Sequence, residues 1–68
     1  MTFEEYTTLA LSEFLADLPA VRIGQSWFNT LDRTRPDLSN MIRGRALLDP
    51  FYNDCTLTNF LDFLAVNW

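Results

Sequence analysis

Apolar side chains recur along this chain at the three- and four-residue spacings that place them on one side of a helix. Phe3, Tyr6, Ala10 and Phe14, with Leu11, Leu15 and Leu18 beside them, predict a helix over residues 3–18. Thr2 followed three residues later by Glu5 fits a capping box at its start, and Pro19 ends it. Leu9 widens the apolar arc beyond one stripe, which predicts packing on two sides, by two other helices or by a second copy of the chain.

Ile23, Trp27, Phe28 and Leu31 predict a second helix over 22–33. Its opposite side carries Arg22, Gln25, Ser26, Asn29 and Arg33, a polar row without an acid, open to two readings: a solvated face or a recognition face. Arg35 precedes Pro36 and is pushed out of the helical region, while Pro36 suits the first position of a new helix and Asp37 its positive end. A third helix is therefore expected over 36–43, after a link of about three residues. Leu38, Met41 and Ile42 form its inner face, and Gly44 supplies a left-handed stop.

Residues 45–55 lack a helical period, but Asp49-Pro50 and Asn53-Asp54 are turn signals around Phe51-Tyr52. They predict an ordered loop pinned by two aromatics. Thr56 is placed to cap a last helix over 56–68, where Leu57, Phe60, Leu61, Leu64 and Trp68 share a face with Phe63 and Val66 beside it. Trp68 is expected to dock. The fold class is thus all-α, one compact bundle of four short helices spanning 1–68, with Phe14, Trp27, Phe28, Leu31, Ile42, Phe60, Leu61 and Leu64 in the core.

Length makes the aromatics matter. A 68-residue domain buries only about 60% of the surface its unfolded chain exposes, and ten aromatic side chains compensate. Charge changes the picture further. Residues 1–21 hold four acids and no cation, residues 22–45 hold five Arg against Asp32 and Asp37, and residues 46–68 hold Asp49, Asp54 and Asp62. The net of −4 argues against gripping nucleic acid by bulk electrostatics, and the acidic ends are placed to fold against the basic middle. Arg35, Asp37, Arg43 and Asp49 are read as structural, fastening the basic middle to acidic neighbours and turns; surface pairs contribute only about 0–1 kcal/mol each, so their loss should cost little unless a side chain is buried.

Candidate chemistry is sparse. Histidine is absent and Cys55 is alone, which excludes nucleophilic triads, His acid–base pairs and His/Cys zinc sites; neither catalysis nor a metal or other cofactor is expected. The lone Cys points to a reducing cytoplasm, and no apolar run approaches the ~20 residues of a membrane helix. Two helices joined by a short break also allow a helix-turn-helix reading, with Pro36–Arg43 as the reading helix and nucleic acid as partner.

Arg22-Ile23-Gly24-Gln25, Phe28-Asn29, Arg35-Pro36-Asp37-Leu38, Ile42-Arg43-Gly44, Asp49-Pro50-Phe51-Tyr52 and Trp68 together resemble a layout of short, mostly uncharacterised proteins of bacteriophages and prophages. The resemblance runs from Arg22 to Trp68, and the long first helix departs from the shorter starts of those proteins. It implies a phage origin and the cytoplasm of an infected cell. By analogy with small acidic phage proteins, it also implies a module that occupies a host protein's surface, such as a polymerase, a nuclease or a defence effector. The residues expected to meet a partner are Arg22, Gln25, Asn29, Arg33, Phe51 and Tyr52, because interfaces favour aromatics and Arg.

Overall fold

The structure is a computed structural model describing residues 1–68. It contains helices and no strand: α1 (Phe3–Asp17), α2 (Ile23–Thr34), α3 (Pro36–Ile42), a 3-10 turn (Asp54–Thr56) and α4 (Leu57–Asn67). The all-α bundle expected from the apolar spacing is what forms, with helix ends displaced by a residue or so. The separation of α2 and α3 is shorter than expected. Arg35 alone breaks them, its N–H still bonding back to Leu31 O (2.7 Å) while its carbonyl accepts the first bonds of α3.

Local signals fix several helix ends. Thr2 Oγ1 accepts from the Glu5 N–H (3.1 Å) and Glu5 Oε1 accepts from the Thr2 N–H (2.8 Å), satisfying two amides that the first turn leaves without partners. Pro36 opens α3, and Gly44 takes φ +76° just past its end. Thr56 is a correction. Its hydroxyl caps nothing in α4; it lies 3.0 Å from Asp49 O and 2.9 Å from Asn53 O, stitching the preceding loop together.

The core consists of Tyr6, Ala10, Trp27, Phe28, Leu31, Leu38, Ile42, Phe60 and Leu64. Phe14 and Leu61, expected inside, are only half-buried at its edge, and Tyr6, Ala10 and Leu38 take central places. Helical pitch explains the difference. At 3.6 residues per turn, Phe14 is rotated roughly 80° from Tyr6 and Leu61 about 100° from Phe60, so each sits at the rim of the buried arc. Leu11, Leu15 and Leu18 are rotated further and remain exposed, as does Met41 on α3.

Two aromatic chains leave α2 from adjacent positions. Trp27 meets Tyr6 edge to face (centroids 5.9 Å), Tyr6 stacks on Trp68 (5.2 Å), and Trp68 leans on Phe3 (5.9 Å). Trp68 docks as expected: its Nε1 donates to Met1 O (2.8 Å), and the Arg35 guanidinium lies 4.8 Å over its ring. In the other direction Phe28 meets Phe51 edge to face (5.9 Å), and Phe51 meets Tyr52 (4.8 Å). Aromatic pairs of this geometry stabilise by about 0.5–1.5 kcal/mol beyond the area they bury.

Tyr6 joins both kinds of force, since its fully buried hydroxyl donates to Trp27 O at 2.7 Å. Burial also pushes its phenol pKa far above the usual range, so the neutral donor persists at any ordinary pH. Tyr6→Phe should lose about 1 kcal/mol, a drop in Tm of roughly 4–8 °C for a domain this small. Circular-dichroism melts that superimpose for the two proteins would contradict this account of the α1–α2 contact.

Candidate functional site

The loop between α3 and α4 is closed by carboxylates. Asp49, nearly buried, accepts from the Gly44 N–H through Oδ2 (2.7 Å) and from the Phe51 N–H through Oδ1 (2.9 Å). The structural, turn-holding role expected of it is what forms, from a buried position: it holds both ends of its own turn, and removing it would strand two backbone donors. Asp54 Oδ1 accepts from the Gly24 N–H (2.9 Å) in the first turn of α2, where the local N-cap, Arg22, offers no side-chain acceptor. A carboxylate is favoured there by the helix dipole. Close approach of the two backbones requires glycine. A Cβ on residue 24 would stand 2.2 Å from Pro50 O and 2.6 Å from Asp54 Oδ1.

Arg22 completes the junction. Its Nη2 donates to Phe51 O (2.5 Å), and Nη1 lies 4.0 Å from Asp54 Oδ1. Phe51 is thereby anchored through its N–H, its carbonyl and its ring on Phe28. Tyr52, one residue on, is 79% exposed. The loop thus presents one aromatic to solvent on the back of another.

The polar row of α2 is divided by the fold. Gln25, half-buried, and Asn29, exposed, form its outward strip. Ser26 is buried, because it lies about 100° round the helix from Gln25, toward the side that α1 covers. On that side Thr30 Oγ1 donates to Glu13 Oε1 (2.6 Å), and Arg33 Nη2 bonds the other oxygen of the same carboxylate. Arg33 lies roughly 16 Å along the axis from Arg22 at ~1.5 Å per residue. Of the six expected partner-binding residues, Arg22, Phe51 and Tyr52 come together, Gln25 and Asn29 extend from them along α2, and Arg33 stands apart, engaged with α1.

The part played by Gly24 and the reach of Asp54 across to α2 follow from a long-range contact that no near neighbour in the sequence announces, whereas Asp49 keeps the turn-holding role expected of it. Arg43, expected to be structural, and Arg45 each line a cleft that Tyr52 also lines. Arg43 stacks 5.1 Å over Phe28 while its Nη2 donates to Asp32 Oδ1 (2.7 Å), and Arg45 lines a second cleft that shares Gly44, Asp49 and Tyr52 with the first. A cation following Gly44 was the available signal for that second position.

The charges are largely satisfied within the chain. Arg22, Arg33, Arg35 and Arg43 have carboxylate partners in Asp54, Glu13, Asp37 and Asp32; Arg45 alone has none within 4.0 Å. The expected folding of acidic ends on the basic middle holds for Glu13 and Asp54, while Asp32 and Asp37 belong to the middle itself. Hydrogen bonds from Arg33 and then Thr30 hold the Glu13 carboxyl below the usual range; Ser39 and then Arg43 do so for Asp32, and Arg35 for Asp37. The outward side of α3 carries Pro36, Asp37, Asn40 and Met41 and no cation. No three His, Cys, Asp or Glu side chains converge on a metal-sized site, and no helix is long and apolar enough to cross a membrane.

Comparison with protein-family models, with characterised proteins and with solved structures finds no match to this chain.

The lowered carboxylates give a pH dependence of definite sign. A folded-state pKa below the unfolded one contributes stability above the ordinary values of 4.5 for Glu and 3.8 for Asp, and that stability is lost as pH falls through them. Tm should be level above about pH 5 and fall below it, with a shallower fall in Glu13→Gln. An unchanged Tm down to about pH 3 would contradict the role given to these pairs.

Proposed function

We propose that this chain is a protein-binding module, phage-encoded, that inhibits or redirects a factor of the host cell by covering part of its surface. Tyr52 carries the reading. A large aromatic that is 79% exposed, yet fixed edge to face on an anchored Phe51, is pre-ordered for binding, and little side-chain entropy remains to be lost on association. Arg22, Gln25 and Asn29 extend the proposed surface along α2, offering donors and acceptors around that anchor. Arg33 contributes at most to its edge, because Glu13 already holds its guanidinium.

The charge distribution favours a protein partner over nucleic acid. Phosphate binding draws on several unneutralised cations, and four of the five Arg here meet carboxylates of the chain itself. The phage setting rests on the resemblance of the Arg22–Trp68 segment, and the cytoplasm of the infected cell follows from it.

Capture of a partner from lysate of a bacterial host, followed by titration against purified variants, tests the proposal. Tyr52→Ala should weaken binding by ~2 kcal/mol or more, about thirtyfold, with the fold retained and Tm lowered only by the loss of one exposed edge contact on Phe51. Equal affinity of Tyr52→Ala and the parent protein would rule this surface out.

A further inference from the structure

Tyr52 lines two clefts of similar size. One, about 260 Å³, is lined by Phe28, Arg43 and Phe51 together with Gly44, Asp49 and Tyr52. The other, also about 260 Å³, shares Gly44, Asp49 and Tyr52 and adds Arg45, Ala46 and Asn53. Each is smaller than the ~300–1,000 Å³ of small-molecule pockets, so each suits a side chain and not a whole ligand. Because Gly44, Asp49 and Tyr52 line both, the two clefts adjoin and suit neighbouring side chains of one extended segment.

The chemistry of the two clefts differs. Arg43 is committed to Asp32 and to the face of Phe28, leaving its cleft walled by aromatic rings. Arg45 has no carboxylate within reach, and both oxygens of the neighbouring Asp49 already accept backbone N–H bonds. An incoming carboxylate therefore finds a cation without a competitor inside the chain. A long polyanion would meet the overall charge of −4, whereas a short segment with one or two acids meets only this corner.

We infer that the two adjoining clefts lined by Tyr52 receive a short extended segment of a partner protein. It places an apolar or aromatic side chain against Phe28 and Phe51 and a nearby carboxylate on Arg45. This rests on the protein-binding reading and names the chemistry of the partner.

The test uses the isotope-labelled full chain and three probes in amide chemical-shift titrations. They are a capped synthetic peptide alternating glutamate and leucine, its counterpart with lysine for glutamate, and single-stranded oligothymidylate. The acidic peptide should shift the amides of Gly44, Arg45, Tyr52 and Asn53, and the lysine peptide should leave them in place. Arg45→Glu should weaken the acidic peptide about tenfold, and Tyr52→Ala should abolish its shifts; both side chains are exposed, so both variants should fold. An equal response to the lysine peptide, unchanged affinity in Arg45→Glu, or preferential shifts with oligothymidylate would overturn the inference. Loss of the captured partner in Tyr52→Ala, together with no response to the acidic peptide, would overturn this inference alone and leave the protein-binding reading standing.

Discussion

The contact on which the most else depends is the one between the first turn of α2 and the loop before α4. The two backbones meet at Gly24 and Pro50, where even a methyl group would not fit, and Asp54 supplies the cap that α2 lacks in its own sequence. That contact brings Phe51 under Phe28 and sets Tyr52 outside. It also directs the chain into α4, whose Phe60 and Leu64 complete the core. A chain of 68 residues has little apolar surface to spare. It uses carboxylate–amide bonds at Asp49 and Asp54 to order a stretch that secondary structure leaves unpaired.

What was legible in the sequence was local. The capping box at Thr2, Pro36 at the start of α3 and the positive φ of Gly44 each depend on a residue and its near neighbours, and each was readable. Periodicity likewise identified the four helices, but not how far each apolar arc was covered, so Phe14 and Leu61 moved to the rim while Tyr6 moved to the centre. Tyr6 is placed by a hydroxyl whose partner lies 21 positions away, and Gly24 by an acid 30 positions away. Nothing near either residue announces such a partner. Thr56 misled for the opposite reason: a hydroxyl before an apolar run is a common cap, and here a nearby loop carbonyl competes for it.

The candidate site was legible in part for the same reasons. Phe51 and Tyr52 stood out as aromatics between turn signals, and the fold gives them opposite duties, anchor and outward ring. The polar row of α2 seemed uniform on a helical projection, but α1 covers its Ser26 edge and engages Arg33 through Glu13. Charge was legible in outline. Pairing of the basic middle with carboxylates was expected and folding delivers one to four of the five Arg, but which Arg stays without a partner, Arg45 in a cleft that Tyr52 also lines, depends on the tertiary contacts.

Native-state amide hydrogen exchange reads the central contact directly, because the Gly24 N–H that crosses it, and the Gly44 and Phe51 N–H groups that order the loop it meets, all lie outside the regular helix ladder. The Gly24, Gly44 and Phe51 amides should exchange as slowly as those of the α2 interior, since Asp54 and Asp49 hold them, while the neighbouring Tyr52 amide exchanges faster. Exchange of Gly24, Gly44 and Phe51 at the rates of an unstructured chain, with α2 still protected, would contradict the dependence of the fold on this junction.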